Sequence, residues 1–370
     1  MQKINLSNYN TLLFFLLRAS FVGGVSANLL ITAKRDSLLS TIIASILGII
    51  PLIIFYFLIK SYPRKNIIEI INEVFGKTFG TLINLILSLF IIFNASLIFR
   101  NLINFISSQF LYQTPDLIIG LVFIIAIIYS LYHGITTISR SSTILFYLFS
   151  ILFLISLTGL FNQANLTNFL PMLEYGINPV LKGTYNYISL NILPIYILTI
   201  IPYNEIENHS KFLKNTIIFY ILSSISIMVV CFSIISVYGI NFANLIEYPE
   251  FHLLKRIDIF GFLQRIENIL SIQWIFDIYF YTSVSSYYIY KFIDISFKKG
   301  LKVKDEIKKR IISFFIPIII LILSLLIFNN NTVDNYFINN YLPTLNIIFF
   351  LIIPTLILIT IKLKKVILKV

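Results

Sequence analysis

The chain has 370 residues, 58% of them hydrophobic and 12% charged, with a formal net charge of +12. Its mean hydropathy of +0.90 is too high for the apolar surface to be hidden inside a water-soluble core. A soluble enzyme or soluble binding module is excluded, and an all-α integral membrane protein is expected.

A helix needs about 20 apolar residues to cross about 30 Å of hydrocarbon. Runs of that kind recur ten times, at 10–31, 38–59, 81–105, 116–131, 142–160, 184–203, 216–238, 268–293, 311–328 and 341–361. Lys and Arg are retained on the cytoplasmic side. With the N-terminus inside, 20 of the 28 basic residues fall in inner segments, six in outer segments and two, Arg18 and Arg100, within runs. Both termini are therefore expected in the cytoplasm. The net charge reads as a topology signal and a complement to anionic lipid, and no nucleic-acid partner is expected.

The first run, with "LLFFLLRASFVGGVSANLL", sets Arg18 and the pair Gly23–Gly24 where lipid would be better served by leucine. Lys3, a short apolar stretch and "VSA" before Asn28 loosely imitate a cleavable signal. Arg18 would interrupt the apolar region of such a signal, and its removal would upset the charge distribution. Arg18 lies about 10 Å into the membrane at the usual helical rise. It can either snorkel to the inner headgroups or pair with an acid. Asp277, about 14 Å in from the outer edge of the eighth run, is the acid at matching depth, and an unpaired carboxylate there would be costly.

The sixth run carries "SLNILP", 189–194, near its middle. Glycine lowers helix stability and proline removes a backbone donor, so the first and sixth runs are both expected to unwind locally. Close helix packing at the glycines and a simple kink at Pro194 are the structural alternatives. Unwound backbone is tolerated in a bilayer only where it lines a protein-enclosed cavity. With ten runs, the first and sixth are corresponding members of two five-helix halves, 1–160 and 161–370. That is the 5+5 inverted-repeat arrangement of transporters that bind substrate between two broken helices at the midplane. Ser20, Gly23, Gly24, Asn94, Ser189 and Asn191 are the expected ligand-binding set, with Arg18 and Asp277 as a charge pair beside it.

The single cysteine, Cys231, excludes an intramolecular disulfide. His133, His209 and His252 lie in separate segments without metal-ligand spacing, and no phosphate loop or nucleophile motif occurs. No catalysis, cofactor or metal is expected. The outer segment 242–265, rich in aromatic and charged side chains, reads either as a lid over the pocket or as an interfacial cover. The basic stretch 291–310 reads as a topology anchor.

Several separated stretches carry a family resemblance: "NFLPMLEYGINPVLKG", "EYPEFHLLKRIDIFGFLQRIENILSIQW", "NNYLPTLNIIFFLIIPTLILITIKLKK", and "AKRDSLLSTIIASILG" followed by "YPRKNIIEI". They resemble the corresponding segments of the endospore germination permeases, the B-type membrane subunits of bacterial germinant receptors. The most specific piece leads into the eighth run, with Tyr248, Pro249, Arg265, Glu267 and Trp274 in the expected order. The resemblance implies a fold similar to the amino acid, polyamine and organocation transporters and a role in sensing nutrients that end dormancy. It further implies an A-type membrane subunit and a C-type lipoprotein as partners, a location in the spore inner membrane, and a small germinant, often an amino acid, in the pocket. An ordinary amino acid transporter and a scaffold that binds no ligand are the competing roles. One departure is "RDSLL", which keeps Asp36 but lacks the aromatic residue usual in that loop. A second is a fifth run without the lysine that some superfamily members use in place of sodium. Arg18 is the alternative source of that charge, and ion coupling stays open.

Overall fold

The structure is a computed structural model that describes residues 3–160, 163–256, 267, 271–296, 305–327 and 331–367. Among these the chain is helical throughout, with an isolated parallel bridge between Ile4 and Ile206 and no strand. Among the described residues, seven stretches are long and apolar enough to cross a membrane: Ser26–Ser61, Lys77–Gln109, Asp116–His133, Ile135–Leu157, His209–Ala243, Glu306–Leu326 and Leu342–Lys364. The expected first, sixth and eighth runs are not among them as such, each for a physical reason.

The first run is broken. Helix α1 (Leu6–Leu16) gives way to a turn, a π-helical turn at Phe21–Val25 and then α2 (Ser26–Ala33), which continues through α3 (Ser37–Leu47) and α4 (Ile49–Ser61). The sixth run is also broken. Helix α9 (Asn178–Tyr187) passes into a π-helical turn, Ile188–Ile192, and then a 3-10 stretch, Leu193–Ile200, that begins around Pro194. The eighth run is the unbroken helix Ile272–Ser296, but it carries a dense set of Tyr, Ser and Thr side chains. Trp274, Asp277, Tyr281, Ser285 and Tyr288 are all buried along it. A helix that never meets lipid has no need of a lipid-compatible surface.

Around this centre the remaining elements are α5 (Ile67–Phe75), α6 (Lys77–Gln109), α7 (Asp116–His133), α8 (Ile135–Leu160), α10 (Phe212–Ala243), α11 (Pro249–Leu254), α12 (Ile272–Ser296), α13 (Asp305–Leu326), α14 (Asn331–Asn340), α15 (Leu342–Ile347) and α16 (Ile353–Ile367). Helix α1 packs against α8, α10 and α12, and α12 packs in turn against α6, α7 and α13. Helices α1 and α12 are thus enclosed by helices that present exposed side chains such as Ile125, Ile144, Leu154 and Leu326, while α2 and α9 are partly exposed, at Ile31 and Leu181. The short α5 is fixed by a capping box, in which Asn66 accepts from the Glu69 N–H and Glu69 accepts from the Asn66 N–H.

Two features shape the end of the molecule that holds residues 165–175. Gly239, with φ of 66°, kinks α10 near its end, a conformation glycine adopts without the penalty a Cβ would impose. At the kink Ser236 O accepts from Asn165 N–H and from Asn168 Nδ2. The second feature is a clasp at Lys34–Asp36. Both carboxylate oxygens of Asp36 lie 3.1 Å from the Leu173 N–H, Arg35 donates to Leu170 O and Glu174, and the Lys34 ammonium stands 3.3 Å from the Tyr175 ring centre. The Asp36 of "RDSLL" thus holds the loop at Leu173 by its backbone, with no aromatic residue beside it in sequence. Of the expected outer segment 242–265, residues 257–265 lie outside the described residues, as does 297–304 of the basic stretch.

Candidate functional site

The two breaks face each other. Ser20, at the start of the first π-helical turn, donates its hydroxyl hydrogen to Leu190 O at 2.6 Å, and its Oγ lies 3.3 Å from Asn191 Oδ1. Pro194 explains why that carbonyl is available. In an α-helix the Leu190 carbonyl would receive the N–H of residue 194, which proline lacks. A side chain from the other broken helix supplies the hydrogen bond that the helix itself cannot.

The halves α2 and α9 of the two helices are joined as well. Asn186 Nδ2 donates to Asn28 Oδ1 at 2.8 Å, and Asn28 Nδ2 donates to Asn339 on α14. A third interruption joins them. The last run contains a π-helical turn at Ile348–Ile352, two residues ahead of Pro354, the same offset that separates Ile188–Ile192 from Pro194. Just before it, Asn346 Nδ2 donates to Ser189 O at 3.1 Å, and Ser189 Oγ donates to Pro343 O at 2.5 Å.

Beside the breaks lies a cavity of about 300 Å³. Ser20, Gly24 and Asn94, from the expected ligand-binding set, line it. Ser189 and Asn191 do not: Ser189 Oγ donates to Pro343 O on α15, and Asn191 Oδ1 lies against Ser20 Oγ. Gly23 lies in the π-helical turn next to Gly24. A Cβ built on Gly24 would meet nothing within 4 Å, so this glycine opens onto space. By contrast, a Cβ on Gly48 would fall 2.3 Å from both Ile192 Cδ1 and Tyr220 Oη. Gly24 reads as a wall of the cavity and Gly48 as a packing residue.

Beyond Asn94, the far wall was not anticipated from sequence. Helix α6 contributes Asn94, Arg100, Asn101 and Asn104, and α15 contributes Asn346. Asn94, Asn101 and Asn104 recur at helical spacing on one face of a strongly apolar helix, a polar stripe that would have marked the wall. The mouth is formed by residues 244–248, which the Gly239 kink brings across the opening. Tyr248 is buried there against Phe105, while Glu247 is exposed. Helix α11 seats this segment. Phe251 packs on Phe105, Phe110 and Trp274, and the buried carboxylate of Glu250 accepts from Ser26 Oγ, at 3.2 Å, at the head of α2. On the same helix, burial pushes His252 below its ordinary value, with Lys255 adding to the effect.

On the other side of the first break, Arg18 does not reach for the headgroups. Its Nε lies 3.3 Å from both carboxylate oxygens of Asp277, and the two side chains are 3% and 2% exposed. Its Nη1 donates to Ser226 Oγ, and its guanidinium stands 4.4 Å from the Phe149 ring centre. Arg18 thus ties the first break to α8, α10 and α12. Cys231 is buried, and among the described residues no cluster of His, Cys, Asp and Glu could hold a metal ion.

The sequence model of the family described as spore germination protein matches residues 10–333. The chain belongs to the spore germination protein family. It is 32% identical over 276 residues to YfkT of Bacillus subtilis (strain 168), a protein whose name assigns it provisionally to spore germination, covering 73% of this chain and 74% of that one. Spore germination protein KB of the same organism is 21% identical over 71% of this chain and 72% of its own length. Spore germination protein A2 is 26% identical over 62% of each. A multi-pass membrane protein of spore germination accounts for both the family and the apolar helices.

Proposed function

We propose that the chain is the nutrient-sensing membrane subunit of a spore germinant receptor. A small germinant, an amino acid in the first instance, binds in the cavity beside the two broken helices and triggers germination. The observation that carries this reading is the junction of the breaks, where Ser20 bonds to Leu190 O and Gly24 opens onto the cavity. A ligand in the cavity touches backbone whose conformation depends on a contact between the two helices. In the finer architecture we propose, ten transmembrane helices form two five-helix halves, 1–160 and 161–370, with the first and sixth broken. Both termini face the spore core across the inner membrane. The A-type membrane subunit and the C-type lipoprotein are the proposed partners, on the strength of the family resemblance.

The test is germination of spores lacking this chain against a panel of amino acids and sugars, alongside uptake of the same nutrients by a heterologous host expressing the chain alone. A sensor loses the response to one or a few nutrients and gives no uptake. Uptake by the chain alone would mark it as a secondary transporter. A response lost on deletion yet unchanged by Gly24→Leu would mark it as a scaffold.

A further inference from the structure

We propose that a groove between α3, α8 and α10 is a lipid site, holding one acyl chain of an anionic phospholipid whose headgroup rests on Lys255 and Arg256. The site is separate from the cavity beside the breaks and does not depend on what that cavity binds.

The groove encloses about 260 Å³. Ile225, Met228, Val229, Phe232 and Ser236 of α10 line it, and at spacings of three and four residues they share one face of that helix. Ile225 and Ser236 are eleven residues apart, about 16 Å at the usual rise. That is half of a hydrocarbon core about 30 Å thick. Ile225 lies near the middle of the apolar stretch His209–Ala243 and Ser236 near its end. The groove thus has the length and position of the acyl chains of a single leaflet.

Its chemistry suits hydrocarbon. Among the described lining residues only Ser233 and Ser236 are polar, and Ser236 turns its hydroxyl to Ser233 O, 3.3 Å away on its own helix. A nutrient rich in hydroxyl, amino or carboxylate groups would bury them there without partners. Left empty, a groove of this size would forfeit dispersion contacts along every wall. Ile42 and Ile225, which line it, are 37% and 50% exposed, so the groove opens toward the bilayer and a lipid chain can enter from the side.

Charge selects the headgroup. At the Ser236 end, Asn165 N–H donates to Ser236 O, and Gln163, the neighbour of the groove residue Ala164, donates to Arg256 O at 2.7 Å. The Arg256 guanidinium stands 4.6 Å from the Tyr238 ring centre, and tyrosines are enriched at the membrane–water boundary. Lys255 and Arg256 are exposed and share a basin with Tyr238 in which Glu247 is the one acid among the described residues. Two cations against one acid at that level favour an anionic lipid.

The groove also borders the centre of the molecule. Leu157, Leu160, Val229 and Ser233 line a second cavity as well, of about 30 Å³, whose other walls include Arg18 and Trp274. An acyl chain in the groove therefore stands one layer of side chains from the arginine that ties the first break to α8, α10 and α12. It stands equally close to Trp274, the one tryptophan of the chain.

The experiment reconstitutes the purified full-length chain in phosphatidylcholine vesicles, adds phosphatidylglycerol or phosphatidylcholine with brominated acyl chains, and reads the fluorescence of Trp274. Brominated phosphatidylglycerol should quench at a mole fraction several-fold below that of brominated phosphatidylcholine. Val229→Phe and Ala164→Leu, which fill the groove from different walls, should reduce quenching by both lipids while melting like the parent. The joint substitution Lys255→Gln and Arg256→Gln should keep the quenching and make the two lipids equal. Native mass spectrometry of the parent tests the site without any variant, and one retained phosphatidylglycerol is expected. None retained, or no quenching, would overturn the site, as would quenching that is equal for both lipids and unchanged by either filler, the mark of bulk lipid. A preference for phosphatidylglycerol that survives the joint substitution would overturn the headgroup contact.

Discussion

Arg18 and Asp277 form a pair whose two members are unequally supported. Arg18 also has Ser226 and the Phe149 ring, whereas among the described residues Asp277 receives hydrogen bonds from Arg18 alone. Removing one partner of a buried pair typically costs about 3 to 5 kcal/mol, because the other charge is left uncompensated. Arg18→Ala should therefore be the more damaging single change and Asp277→Ala the milder one. The double substitution should cost less than their sum, as melting of the four purified proteins in a double-mutant cycle would show. Additive losses would mean that the contact carries no coupling. Gly24 is the complementary case, a residue whose substitution should spare the fold. Its Cβ direction is empty, so Gly24→Ala should insert and melt like the parent, and Gly24→Leu should insert equally well while blocking the nutrient response. Gly48→Ala is the control in the opposite sense, since its Cβ would collide with Ile192 and Tyr220 and should lower stability before it touches ligand binding.

At the level of elements, the breaks were legible where sequence marks them with glycine or proline, and illegible where the mark is ambiguous. Gly23–Gly24 and Pro194 pointed to the first and sixth runs. Pro354 is the same signal in the last run, but with one proline in an otherwise apolar helix nothing in the local pattern separates a π-helical turn from a simple kink. Of the wall on α6, Asn94 was legible and Asn101 and Asn104 were not, although all three share a helical stripe; the mouth at 244–248 falls within the segment 242–265, whose aromatic and charged composition reads equally as a lid or as an interfacial cover. The Ser20–Leu190 contact was beyond any sequence pattern, since it joins residues 170 apart. Its logic is testable through Pro194. Ser20→Ala leaves Leu190 O without its hydroxyl partner, at a cost of about 1 kcal/mol for an interhelical hydrogen bond of this kind. Pro194→Ala restores an N–H at the position that an α-helix would use to bond Leu190 O. The combined variant should therefore melt above Ser20→Ala alone, and its two broken helices should be less strongly coupled. A combined variant that melts lower than both singles would show that the proline shapes the break by another route.

Across the whole molecule, lipid and protein divide the segments by composition. The long apolar stretches carry exposed large apolar side chains such as Ile125, Ile144 and Leu363, whereas α1, the stretch 189–200 of the sixth run and α12 are largely buried. This is why hydropathy alone undercounts the centre: α12 can hold Asp277, Tyr281, Ser285 and Tyr288 because its neighbours on all sides are helices. The distribution of basic residues then bears on orientation, since 20 of 28 fall on one side if the N-terminus is inside. The chain's own chemistry provides a clean assay. Cys231, its one cysteine, is buried at 4% exposure, so a membrane-impermeant maleimide should label the parent weakly. Lys77, Lys182 and Lys211 are all exposed, and they fall on opposite sides of the expected topology. Lys182→Cys should be labelled from outside intact cells, whereas Lys77→Cys and Lys211→Cys should be labelled only after the membrane is opened. Labelling of all three from outside would reverse the orientation of at least one half. The opposite pattern, with Lys182→Cys alone protected, would place the cavity mouth at residues 244–248 on the cytoplasmic side, where a nutrient arriving from outside the spore could not reach it.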